Sequence, residues 1–403
     1  MSTTTAAATC SLAEATLSFA CGGACEQTYH PCLKSASLLT TSTNAYKSAT
    51  CGYECFRYNA TATFAIYIPY GATYKSPQEL AGTFTPELTT APNDTLNWPS
   101  ENNDKLTKID QLVLPATASI ISIQGGSTYV RQATVGKGRV ANVAFATNAF
   151  AKVQPSKFIL ANLNLAPIAD SLGTMLPAAT TKILSLDNTL LTAVPTGLSK
   201  LPVLEILILS KNYLTKVEQT DAVDSVKDFR AEHNNITSFN AVFKGATSID
   251  VSDNFLTEFP AAFAKHTALT HVYMSKNKAT AIESSNSVTS LTYLNVAGNQ
   301  ISRFEAVFPS LTTLYIGGNS LTSIPPAIFK HDKLAALYME KNPITNLSLS
   351  DSQANFINTL TNFTIDSAAL SSNCNRGQQR VMHDKTFCVF ADIFFYLPSV
   401  DRL

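Results

Sequence analysis

Residues 291–301, LTYLNVAGNQI, decide how this chain is to be read. Apolar side chains stand at places one, four and six (Leu291, Leu294, Val296), an asparagine at nine (Asn299) and another apolar residue at eleven (Ile301). Around Leu294 and Val296 the pattern alternates with period two, which reads as a short strand with one buried face. Asn299 follows where the strand must turn. A buried amide there can pair backbone groups that would otherwise be orphaned. Working outward, the same phrase recurs with its asparagine at Asn148, Asn212, Asn234, Asn254, Asn277, Asn299, Asn319 and Asn342, while Ile168 and Thr189 fill the slot in two degenerate copies. Successive anchors lie 20, 21, 23, 22, 20, 23, 22, 20 and 23 residues apart.

A repeat of this length and spelling marks a leucine-rich repeat solenoid. The fold expected is an α/β solenoid: a horseshoe with a parallel β-sheet on its concave face and disulfide-stabilised caps. Return segments such as Phe259-Pro260 and Ile324-Pro325-Pro326 suit short 3-10 turns, so the convex side is expected to be mostly irregular or 3-10. Ten rungs would give a sheet on the order of 45 Å long. Four segments follow: a cysteine-rich cap over 1–58, an irregular β/entry segment over 59–137, about ten repeats over 138–347 and a capping region over 348–403. Ile109, Leu112 and Leu114 hint at an entry repeat, but the stretch from Thr117 to Asn148 breaks the period.

The chain has 403 residues with 29 basic and 29 acidic side chains, so no net charge draws it to nucleic acid or an anionic membrane surface. All eight cysteines lie outside the repeats. Cys10, Cys21, Cys25, Cys32, Cys51 and Cys55 precede them; Cys374 and Cys388 follow. Even numbers at both ends fit disulfide-stapled caps in an oxidising compartment, although the first six admit 15 pairings. A zinc site built from the two C-x3-C pairs and His30 is the weaker alternative, because its spacing is irregular. The first 25 residues carry no Lys or Arg and no unbroken apolar run, so no leader is read there; a processed start, an incomplete start or a protein that is not secreted are the three expectations. No apolar window is long enough to span a membrane.

Enzyme signatures are missing: no phosphate-binding glycine loop, no H-E-x-x-H, no G-x-S-x-G and no kinase motifs. His266 and His331 each fall 12 residues after their anchor and read as repeat decoration on the convex side; His233 and His271 fall on the sheet surface, and His30 and His383 in the caps. No catalytic residue, metal or cofactor is expected. The informative surface is the concave face. Its fifth place reads Ala144, Asn164, Ser185, Ile208, Arg230, Asp250, Tyr273, Asn295, Tyr315 and Tyr338, with His271 and Tyr293 at the third place beside it. Tyrosines supply large amphipathic contact area and concentrate at interfaces, although aromatics also suit strands by packing alone. Arg230, Asp250, His271, Tyr273, Tyr293, Asn295, Tyr315 and Tyr338 are therefore the candidate binding residues. Acceptor sequons stand at Asn59, Asn93, Asn346 and Asn362; a fifth, Asn235, follows a buried anchor and is expected to be poorly accessible.

With the cysteine cluster, the L-x-x-L-x-L-x-x-N array and the closing Cys374 and Phe387-Cys388-Val389, the chain resembles the extracellular leucine-rich repeat ectodomains of water-mould tyrosine-kinase-like receptor kinases. The resemblance implies a disulfide-capped, non-enzymatic module at the cell surface or secreted, binding a protein or peptide. The kinase activity of such receptors does not carry over to these residues. An intracellular scaffold or a structural surface protein are the competing expectations.

Overall fold

The repeats are built from rungs of three residues, each the middle of one phrase. The computed structural model describes residues 15–21, 32–35, 46–47, 52–55, 63–68, 106–125, 137–345, 347–366, 374 and 377–392. Cys10, Cys25, Cys51, His30, Asn59, Asn93 and Asn346 lie outside the described residues. The chain forms two compact units, Met1–Tyr213 and Leu214–Leu403, so their boundary falls inside the repeats.

In the first unit, strands Thr63–Ile68, Ile120–Gly125, Lys157–Ala161, Ile183–Ser185 and Ile206–Ile208 lie side by side in that order, all parallel. A second sheet runs beside them in sequence. Ala15–Ser18 pairs antiparallel with Cys32–Ser35 and parallel with Leu106–Ile109, which in turn pairs with Ala144–Phe145. Cys21 and Cys32 form a disulfide here.

This interleaving corrects the places assigned to Asn148, Asn164 and Ile168. Lys108 and Ala144 face each other 36 residues apart (144 − 108), and Ile120 and Lys157 37 apart (157 − 120). Each coil feeds one strand to each sheet, so the short repeat period cannot show in this part of the sequence. Asn148, assigned to the asparagine ladder, is instead exposed in a turn, because its copy, with Ala144, belongs to the other sheet. Ile159, not Asn164, stands opposite Ser185, and Ile168 lies in the 3-10 helix Ala166–Ile168.

In the second unit the rungs are Asp228–Arg230, Ser248–Asp250, His271–Tyr273, Tyr293–Asn295, Thr313–Tyr315, Ala336–Tyr338 and Asn362–Thr364, each parallel to the next. The middle residue of every rung is buried: Phe229, Ile249, Val272, Leu294, Leu314, Leu337 and Phe363. Phenylalanines fill the space behind; the rings of Phe229 and Phe243 stack at 4.7 Å and those of Phe239 and Phe263 meet edge-on at 5.2 Å. Return segments carry 3-10 helices at Gln219–Asp221, Ala261–Lys265, Ser284–Asn286 and Pro326–Lys330.

The anchors are bonded alike. Asn299 donates Nδ2–H to the carbonyl of Val296, three residues back, and to that of Met274 in the preceding repeat, both at 2.9 Å; its Oδ1 accepts the Ala279 N–H at 3.1 Å. Asn254, Asn277, Asn319 and Asn342 repeat this set. In the first unit Asn212 does the same, and in the slot at Thr189 a hydroxyl donates to the Leu186 carbonyl. Asn234 accepts from Leu214 N–H and donates to the Ala231 carbonyl. Just before each anchor the backbone turns left-handed: φ is 53° at Lys276, 68° at Gly298, 63° at Gly318 and 58° at Lys341. Glycine meets that demand without steric cost, whereas lysine bears it.

The lengths of the repeats follow a longer rule. From Thr189 they run 23, 22, 20, 23, 22, 20 and 23 residues, so three repeats make a block of 65 (254 − 189 = 319 − 254). The chemistry follows it. Glu218 and Glu283, 65 apart, each close a capping box with Asp221 and Asn286. His266 and His331, also 65 apart, recur with the repeat as expected and are buried, 2% and 1% exposed. Each accepts, at Nε2, a backbone N–H from the preceding repeat (Phe243 and Phe308, both 3.1 Å). The Nδ1 of each lies 2.9 Å from a carbonyl of its own 3-10 helix (Ala262 and Ala327). The imidazole thus staples two turns of the solenoid, with the proton placed on Nδ1 by its carbonyl partner.

A cap completes the second unit. Helix Asp351–Thr359 begins at Ser350, whose hydroxyl accepts the Gln353 N–H while the Gln353 side chain accepts the Ser350 N–H. Hairpin strands Gln378–Met382 and Lys385–Phe390 follow, the second pairing parallel with Ser348–Ser350. The disulfide Cys374–Cys388 ties this hairpin down, and Phe387 is fully buried beneath it.

Candidate functional site

Alternation along each rung buries the middle residue and turns its two neighbours to the open face. On that face the second unit sets Asp228, Ser248, His271, Tyr293, Thr313, Ala336 and Asn362 in one row, and Arg230, Asp250, Tyr273, Asn295, Tyr315, Tyr338 and Thr364 in the next. All eight candidate binding residues therefore lie on one sheet face. Arg230 is exposed; Asp250, His271, Tyr273, Tyr293, Asn295, Tyr315 and Tyr338 are half-buried.

Five of them form a continuous aromatic row. Ring centroids are 5.6 Å apart for His271 and Tyr293, 4.9 Å for Tyr273 and Tyr293, 5.6 Å for Tyr293 and Tyr315, and 4.2 Å for Tyr315 and Tyr338. The last pair is only 6° from parallel. Because the rings cover one another's faces, an incoming partner meets ring edges and phenol hydroxyls. Burial, then the neighbouring phenols Tyr273 and Tyr315, push the Tyr293 hydroxyl up to about 12. Burial followed by the Asp250 carboxylate raises Tyr273, and burial followed by a hydrogen bond to Tyr338 raises Tyr315. The phenols of Tyr273, Tyr293 and Tyr315 are therefore held in their neutral form.

Next to the row lies a charged group. Arg230 binds Asp228 bidentately, Nη2 to Oδ2 at 2.6 Å and Nε to Oδ1 at 3.2 Å, and that bond is the main reason its guanidinium pKa rises. Asp250 is raised by burial, and its Oδ1 accepts the Ser252 N–H at 2.9 Å. His233 Nδ1 lies 2.7 Å from Asp253 Oδ2 at the margin of the face. Among the described residues no group of His, Cys, Asp and Glu has the arrangement of a metal site, and no helix is long and apolar enough to cross a membrane.

The remaining candidates scatter. Asn362 is exposed on the last rung, in the same row as Tyr293 and Ala336. Asn235 is exposed as well, contrary to expectation, because the strand has ended and its side chain leaves the solenoid while Asn234 turns in. His383 sits in the hairpin turn of the cap, 3.0 Å from the Ile357 carbonyl.

The 65-residue block separates scaffold from face. Residues 254–276 and 319–341 share the asparagine, the leucine two places on, a proline, the Lys-His pair and the Tyr-Met pair. Scaffold places hold across all three blocks: Leu191, Leu256 and Leu321; Pro195, Pro260 and Pro325; Leu204, Leu269 and Leu334. Face places do not. Asp228 becomes Tyr293 and Arg230 becomes Asn295; Ser185, Asp250 and Tyr315 share one place, and Ile206, His271 and Ala336 another. Sequence reasoning without this longer period could not separate the two sets; the alternation of repeat lengths was the available signal.

The repeated rungs and the asparagine ladder make the fold a leucine-rich repeat solenoid. A leucine-rich repeat family model matches residues 310–331. Among solved structures the chain is similar to a leucine-rich repeat protein of Leptospira interrogans (16% identity, 68% of this chain and 82% of that one, TM-score 0.45). It is also similar to an internalin of Listeria monocytogenes (16% identity, 70% and 92%, TM-score 0.43). The fold itself rests on this chain's own repeats and their hydrogen bonds.

Proposed function

We propose that the protein is a non-enzymatic recognition module that holds a protein or peptide on the open sheet face from Arg230 to Tyr338. It does so outside the cell, in the manner of a receptor-kinase ectodomain. One observation carries this reading: although Tyr273 and Tyr338 match, the face otherwise changes between 65-residue blocks, from Asp228 to Tyr293, from Arg230 to Asn295 and from Ser185 through Asp250 to Tyr315, while buried Leu191, Leu256 and Leu321 and Pro195, Pro260 and Pro325 hold. If tyrosines stood on the face only to suit strands, every equivalent place would carry an aromatic; Ile208, Asp228 and Asp250 stand 65 residues before Tyr273, Tyr293 and Tyr315 instead. The disulfides Cys21–Cys32 and Cys374–Cys388 support an oxidising compartment. Ring edges and phenol donors suit a partner rich in carbonyl acceptors, such as an extended peptide backbone.

The test is selection of a random-peptide display library on the immobilised protein. Peptides are expected that bind the native chain and fail to bind a variant with Tyr273, Tyr315 and Tyr338 all changed to Ala. Selected peptides that bind both proteins equally would move the site off this face. The triple variant is expected to stay folded, losing the stacking of its rings, about 0.5–1.5 kcal/mol per pair.

A further inference from the structure

We propose that Tyr315 and Tyr338 form an oxidative cross-linking site, joined as dityrosine by a one-electron oxidant of the peroxidase class acting with hydrogen peroxide. The two residues face each other in register on adjacent parallel rungs, their rings 4.2 Å apart and 6° from parallel. A phenoxyl radical holds its unpaired electron in π orbitals perpendicular to the ring, with much of it on the carbons ortho to oxygen. The new carbon–carbon bond therefore grows through the ring faces, and a parallel stack is the approach it requires. The neighbouring pairs do not offer that approach: Tyr273 and Tyr293 are tilted by 40°, Tyr293 and Tyr315 by 43°. Tyr213, in the first unit, has its ring under the Lys137 ammonium. Strand pairing replaces a chance encounter of two radicals by a fixed one, the same advantage that intramolecular reactions have over bimolecular ones.

The chemistry balances. Each phenol loses one electron and one proton, the proton passing to solvent. The two ortho carbons bond, and their hydrogens move to the oxygens, restoring both aromatic rings. Two electrons and two protons reduce one hydrogen peroxide to two waters. The product is a covalent strap between two rungs of the solenoid, independent of whether the face holds a ligand.

The experiment treats the dilute, folded protein with peroxidase and hydrogen peroxide. Expected are dityrosine fluorescence in the monomer band, a mass lower by two hydrogens, and a cross-linked tryptic pair made of residues 304–330 and 334–341. Tyr338→Phe keeps the stacked ring and should lose that pair; Tyr213→Phe should keep it. Cross-links only between molecules, or the same linked pair formed equally well in denaturant, would overturn the proposal. So would an intramolecular link that leaves Tyr315 and Tyr338 untouched.

Discussion

Beneath the rungs of the second unit and on their open face, the same backbone gives two different kinds of sequence. Beneath, each asparagine from Asn254 to Asn342 makes the same bonds to its own turn and to the one before, and His266 and His331 make theirs at one fixed offset. On the face, a single place holds Ser185, Asp250 and Tyr315 in successive blocks. The difference has a physical origin. A buried polar group without a partner costs its full desolvation, so the interior admits few solutions. A half-buried place on a sheet face accepts most side chains, so what stands there is left to recognition.

The comparison breaks most sharply if the interior proves tolerant. Asn299→Ala removes the partners of Val296, Met274 and Ala279 and should cost roughly 1–3 kcal/mol, read as a lower denaturant midpoint. An unchanged midpoint would mean that the ladder is ornamental. A smaller and pH-dependent effect belongs to the histidines. Burial lowers both imidazoles from the ordinary 6.5, outweighing the backbone bonds that favour the charged form. The unfolded chain then binds more protons, so the stability they contribute is complete above about pH 6.5 and is lost as pH falls below it. Protonated Nε2 cannot accept, so the protection of the Phe243 and Phe308 amides, their exchange relative to the unfolded chain at the same pH, should fall on acidification, and unchanged protection at pH 5 would contradict the staple. The smallest effect is expected on the face. Replacing Tyr338 by Ile installs the side chain found two blocks earlier at Ile208; it should lose no more than the ring contact with Tyr315, about 0.5–1.5 kcal/mol. A loss matching that of Asn299→Ala would show that the face is scaffold too.

Much of this was legible from residues 291–301 alone, because a period-two strand and a buried asparagine are local demands that a sequence must spell out. The same locality placed Arg230, Asp250 and the tyrosines on one face. It failed where two sheets share the chain: Asn148 matches the phrase yet lies in an exposed turn, since pairing with Leu106–Ile109 claims its strand. It read the histidines at 266 and 331 as features of the repeat but could not find their partners, which come from the preceding repeat.

The sequence by itself determined the repeat, the register of the second unit and which side chains leave the sheet, because each follows from residues close along the chain. Only the tertiary structure decided where the repeats begin, that two histidines are buried staples, and that four tyrosines and a histidine stack into one row. Those outcomes depend on contacts between turns twenty or more residues apart, where pairing and packing choose among options that a local pattern leaves equal.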